Sequence, residues 1–126
     1  MKTNLNKFAA LLAFIIGAMA IFAGGQVLLG KIPDYFVIDW LPVYNYTVGI
    51  ITVFTTAALI WTNSRLALPA AWATFSFHAA VMFILQIAYE NTVAMDSIVA
   101  MTVRLIIWIV ILGLLLIQIK RNKMLS

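Results

Sequence analysis

The chain has no cysteine, a single histidine, three prolines and only four acidic residues among its 126. Without thiols there are no disulfides, iron–sulfur clusters or thiolate metal sites, and no thiol redox chemistry. That excludes the four-helix membrane oxidoreductases that pass disulfide electrons to quinone. One histidine, His78, excludes bis-histidine haem ligation within the chain. Charged residues make up 10% of the sequence, where a soluble domain carries about 25%. Too few charges remain to cover a water-facing surface.

What is present is apolar. Hydrophobic residues reach 65% and the mean hydropathy is +1.08. Four runs meet the roughly 20 apolar residues that a spanning helix needs: Phe8 to about Leu29, Tyr44 to Thr62, Ala67 to Tyr89 and Ser97 to Ile119. The two-residue alternation of a membrane β-barrel is missing. The length leaves room for one domain, 1–126. The expected fold is all-α: an integral membrane four-helix bundle, up-down and antiparallel.

The connections support that order. Asn63-Ser64-Arg65 reads as a tight turn, with Pro69 in the first turn of the third helix, where its missing N–H costs little. Glu90-Asn91 and Asp96 bracket a second short turn. Short turns force antiparallel neighbours. The stretch 30–43, with Tyr35, Phe36, Trp40 and two prolines, is too short to span and predicts an interfacial segment at headgroup level.

Charge sets the orientation. Lys2, Lys7, Arg65, Lys120, Arg121 and Lys123 fall on one side of a four-pass chain; Asp34, Asp39, Glu90 and Asp96 fall on the other. The positive-inside rule then predicts both termini on the cytoplasmic side of an inner or plasma membrane. The net charge of +4 is spent at the ends of apolar runs, with no basic patch interleaved with aromatics, so nucleic acid is not expected as a partner. Ala18-Met19-Ala20 resembles a signal-peptidase site, but the apolar run continues to Leu29, beyond the length of a signal core, so the first run is expected to stay as a helix.

A stripe of small residues, Ala9, Ala13, Gly17, Ala20 and Gly24, runs along the first helix. Such stripes let helix backbones approach closely in lipid. Packing within the chain is the expected use; a homodimer or a larger membrane complex would be served if the stripe faced outward.

Polar residues inside the membrane mark the candidate site. Arg104 lies about 10 Å inside the outer boundary, at 1.5 Å per residue, where an arginine costs on the order of 3 kcal/mol on insertion scales. Asp96, Glu90 and Asp39 are the expected counter-charges, and Ser97, Met101 and Trp108 share its helix face. His78 sits mid-helix, expected to bond a threonine or a backbone carbonyl, or else to contact a ligand or relay a proton. Gln26, Gln86 and Asn45 lie at similar outer depth, so Arg104, His78, Gln26, Gln86 and Asn45 are the expected ligand-binding residues of an outer polar pocket. No metal site or catalytic residue is expected, and no cofactor is named by these residues.

The layout of a glycine-containing first helix ending in Gly30-Lys31, a longer outer loop, Gly49 early in helix two and Arg65 in a cytoplasmic turn resembles DoxX-like four-helix membrane proteins. The resemblance implies a quinone-linked or oxidative-stress-associated membrane subunit that works with partners. Asn45 and Thr47 stand where an acidic residue would be expected early in the second helix. The leading expectation is therefore a non-catalytic subunit or binder of a small amphipathic or lipid-like molecule. The alternatives are a DoxX-like quinone-linked oxidoreductase component and a small transporter. The last is disfavoured, since no carboxylate lies within the membrane core to couple an ion, and the first helix lacks the one that small multidrug exporters require.

Overall fold

The computed structural model describes residues 5–31, 38–91 and 95–125, the last five by backbone alone. It is helical, with no strand among the described residues. Four helices are each long and apolar enough to cross a membrane: α1, Leu5–Leu28; α2, Leu41–Trp61; α3, Ala67–Ile87; and α4, which begins at Met95 and continues to Leu125. Their outward faces carry large apolar side chains, Phe22, Phe54, Phe77 and Phe83 among them, each more than 60% exposed. A chain with this surface is a multi-pass membrane protein.

Local chemistry ends the helices. After α1, Gly30 takes φ 102°, the Lys31 N–H reaches back to the Gln26 carbonyl and the Gly30 N–H to that of Val27. This paired closure satisfies carbonyls that the helix end would leave bare. Asn63, at φ 55°, repeats it after α2, with Ser64 N–H bonded to Leu59 and Asn63 N–H to Ile60. The Ser64 hydroxyl then accepts the Leu66 N–H at 3.1 Å and starts the turn into α3. Helix α2 opens at Leu41, three residues before the apolar run suggests, because Pro42 fits a first helical turn. The core of the expected interfacial segment, 32–37, and the tip of the last turn, 92–94, lie outside the described residues.

The small-residue stripe packs inside the chain. Ala9, Ala13, Gly17, Ala20 and Gly24 are all buried. A methyl group built on Gly17 would meet Thr52, and one on Gly24 would lie 2.5 Å from the Pro42 carbonyl oxygen. Gly49 of α2 faces α1 just as tightly, since its methyl would sit 2.8 Å from the Gly17 oxygen. Facing glycines thus let two backbones touch. At the other end of the seam, the Asn6 amide donates to the Ile60 and Trp61 carbonyls, and the Leu5 N–H donates to Gln118 Oε1 of α4 at 3.0 Å.

Helix α2 is not uniform. Thr52–Thr56 forms a π-helical turn, which inserts extra backbone into the spiral and turns the later residues to a new azimuth. Thr56 then meets Thr74 of α3, hydroxyl to hydroxyl at 3.2 Å.

The interior is layered. One apolar cluster gathers Ala13, Ile16, Ile60, Ala71, Trp108 and Leu112 with their neighbours. A second gathers Ile38, Leu41, Val81, Leu85 and Met101. On α2, α3 and α4 the buried polar residues fall, in chain order, between the members of these two clusters.

Candidate functional site

That intermediate layer holds the polar groups. Arg104 is 7% exposed and His78 3%. Arg104 projects from the α4 face that also buries Met101 and Trp108, which the spacing of three and four residues along a helix requires. Its Nη1 donates to the Asn45 side-chain oxygen at 2.6 Å, a short bond of the charge-assisted kind. One partner of Arg104 is thus an amide on α2, fifty-nine residues away. The carboxylates expected as counter-charges, Asp39, Glu90 and Asp96, are exposed on the surface.

Among the described residues, His78 bonds neither a threonine nor a backbone carbonyl. Its Nδ1 shares a hydrogen bond with the Tyr44 hydroxyl at 2.9 Å. The residue beside Tyr44 is Asn45, so two successive positions of α2 hold the two polar groups of α3 and α4. The ring of His78 lies edge-on to Tyr44 at 5.8 Å between centroids and tilted over Trp108 at 6.5 Å. Trp40, one turn before Tyr44, meets it edge-on at 6.5 Å. The Trp40 indole N–H donates to the Tyr89 hydroxyl at 3.0 Å. A continuous file of rings therefore runs Tyr89, Trp40, Tyr44, His78, Trp108. Edge-on contacts of this kind are favourable between aromatic rings.

One donor in the layer stands out. The Trp108 indole N–H is buried and meets no hydrogen-bond acceptor among the described residues, which costs about 1–3 kcal/mol for a group taken out of water.

Of the five residues expected at the site, three come together: Arg104, Asn45 and His78. Gln86 does not join them. Its side chain is exposed and lines a shallow depression with Glu90, Met95 and Ile98. It points away because Leu85, its neighbour, takes the buried azimuth of α3. Gln26 stands half-buried on the last turn of α1, where its backbone oxygen closes the helix, and its side chain makes no hydrogen bond to the Arg104–Asn45 pair. Tyr44 and Trp40 are the site residues that sequence reasoning passed over. Their spacing of four on one helix face, beside Asn45, was the available signal.

Chemically, the layer offers a permanent positive charge with a planar donor fork and a tyrosine–imidazole pair through which a proton can pass. Among the described residues, no three histidine or carboxylate side chains gather as a metal site would require.

Searched against protein-family models, curated proteins and solved structures, the chain matches none.

Proposed function

We propose that the protein resides in an inner or plasma membrane as an up-down antiparallel four-helix bundle with both termini cytoplasmic. It acts there as a non-catalytic binder, or binding subunit, for a small amphipathic or lipid-like molecule. The bonds of Asn6 to Ile60 and of Leu5 to Gln118 support the antiparallel order, since each ties the start of α1 to the end of another helix. The separation of basic from acidic residues supports the orientation.

The observation that carries the binding role is the charged fork of Arg104 in a layer between two apolar clusters. A guanidinium keeps its charge at any physiological pH. Ionisable groups at membrane depth are costly and are retained where a pathway or ligand uses them. The amphipathic ligand places an acidic or carbonyl oxygen on Arg104 and lays its apolar body along the neighbouring rings. Asn45 sets the direction of the fork.

The Tyr44–His78 bond favours a second reading, a quinone-linked redox component of the DoxX-like kind, because reduction of a quinone consumes protons that such a pair can deliver. An absorption spectrum of the purified protein separates the two, as a bound quinone absorbs and a lipid does not.

Mass spectrometry of the purified wild type and Arg104→Leu tests the main reading. The wild type retains a small-molecule adduct; Arg104→Leu loses it while melting within a few degrees of wild type. Arg104→Lys retains part of it, since a point charge cannot reproduce the planar fork. Retention of the adduct by Arg104→Leu, together with a large loss of stability, assigns Arg104 to scaffolding and overturns the proposal.

A further inference from the structure

The opposite end of the α1–α2 seam carries a feature that the polar layer does not use. Leu11 and Phe14 of α1 and Val53, Ala58 and Trp61 of α2 wall an apolar groove of about 330 Å³. It exists because Ala10 and Ala57, at its base, fill so little of the space between the helices. Leu11, Phe14 and Trp61 are each about half exposed, so the groove opens sideways onto the hydrocarbon.

A cation stands on one of the walls, Trp61. Lys7 lies one turn before Ala10 and Leu11 on the same stretch of α1, and its Nζ donates to the Trp61 carbonyl at 2.9 Å. The ammonium also stands 4.2 Å over the Trp61 ring, an attractive cation–π arrangement. The Trp61 carbonyl and ring fix the ammonium beside the groove, and an ammonium has three donors, of which the carbonyl takes one. Arg65, exposed in the turn that follows α2, adds a second positive charge at this end.

We propose that this groove is a binding site for one anionic phospholipid, its acyl chain along Leu11, Phe14 and Ala58 and its phosphate on Lys7. Charge complementarity selects this occupant over a partner helix. A groove flanked by a fixed ammonium suits a molecule that is an apolar chain at one end and an anion at the other. The site is separate from the Arg104 layer, so either can fail without the other.

Native mass spectrometry of the full chain in detergent, titrated with phosphatidylglycerol and with phosphatidylcholine, tests it. Wild type retains the anionic lipid in preference by about fivefold, the gain of one lysine acting near an anionic headgroup. Lys7→Gln lowers that preference toward equal retention, leaving at most the contribution of Arg65, and Lys7→Arg keeps the preference. Ala58→Phe fills the groove from its exposed side and lowers retention of both, with circular dichroism confirming that the variant remains helical. Should Ala58→Phe fold poorly, Ala58→Leu makes the same test with less bulk. An undiminished preference in Lys7→Gln overturns the proposal. So does an Ala58→Phe variant that keeps its lipid but changes from dimer to monomer, because the groove would then hold a second copy.

Discussion

Gly24→Ala adds one methyl group where two helices touch through their backbones. The new carbon would lie 2.5 Å from the Pro42 carbonyl oxygen and 2.8 Å from the Tyr46 nitrogen. Backbone atoms cannot yield by changing rotamer, so α1 and α2 must part by about 0.5–1 Å to restore ordinary contact. Over-packing of this kind costs about 1–3 kcal/mol. Against it stands the gain of alanine over glycine in a helix, about 1 kcal/mol. The expected net loss is about 0–2 kcal/mol. Gly113→Ala is the control: a methyl there meets nothing within 4 Å, so it collects the helical gain unopposed. The helical gain is common to both, so the two alanine variants should differ by the over-packing cost, about 1–3 kcal/mol, with Gly24→Ala at or below wild type and Gly113→Ala at or above it. Reversible unfolding in mixed detergent micelles, followed by helicity, measures both. The displacement has a second consequence at the polar layer. The same methyl lies 3.1 Å from the Asn45 Cβ, so parting the helices also moves Asn45 against Arg104 and weakens whatever that pair retains. Equal stability for Gly24→Ala and Gly113→Ala would refute the glycine-mediated seam.

Two further outcomes are expected. Cysteine introduced at Asn91 reacts with an impermeant thiol reagent in intact cells and cysteine at Ser64 does not; the reverse pattern overturns the orientation. Tyr44→Phe, which removes the hydroxyl from His78, costs about 1–2 kcal/mol, the penalty of a buried nitrogen left unpaired. The same change made in a His78→Phe background costs much less, so a double-mutant cycle in detergent reports coupling between the two side chains; additive losses would mean that they do not depend on each other.

Most of the helical framework is legible in residue order because its causes are local. Apolar length decides what can cross a membrane. Gly30 and Asn63 end α1 and α2 through left-handed conformations that other residues resist, and Pro42 and Pro69 sit where a helix tolerates them. The small-residue stripe announces close packing, but that Gly49 is the glycine it meets emerges only when the helices pack. The partners of the buried polar groups are of another kind. Asn45 and Arg104 are fifty-nine residues apart, Tyr44 and His78 thirty-four. Which of them meet depends on how each helix is rotated about its axis, and side chains of similar depth take opposite azimuths. Gln86 and Leu85 are neighbours, yet one faces outward and the other is fully buried. The π turn at Thr52–Thr56 adds a phase shift that no helical wheel drawn on the sequence contains. Depth in the membrane is a property of the chain's own order; azimuth is set only when the helices pack, and it is azimuth that gives Arg104 its amide and His78 its tyrosine.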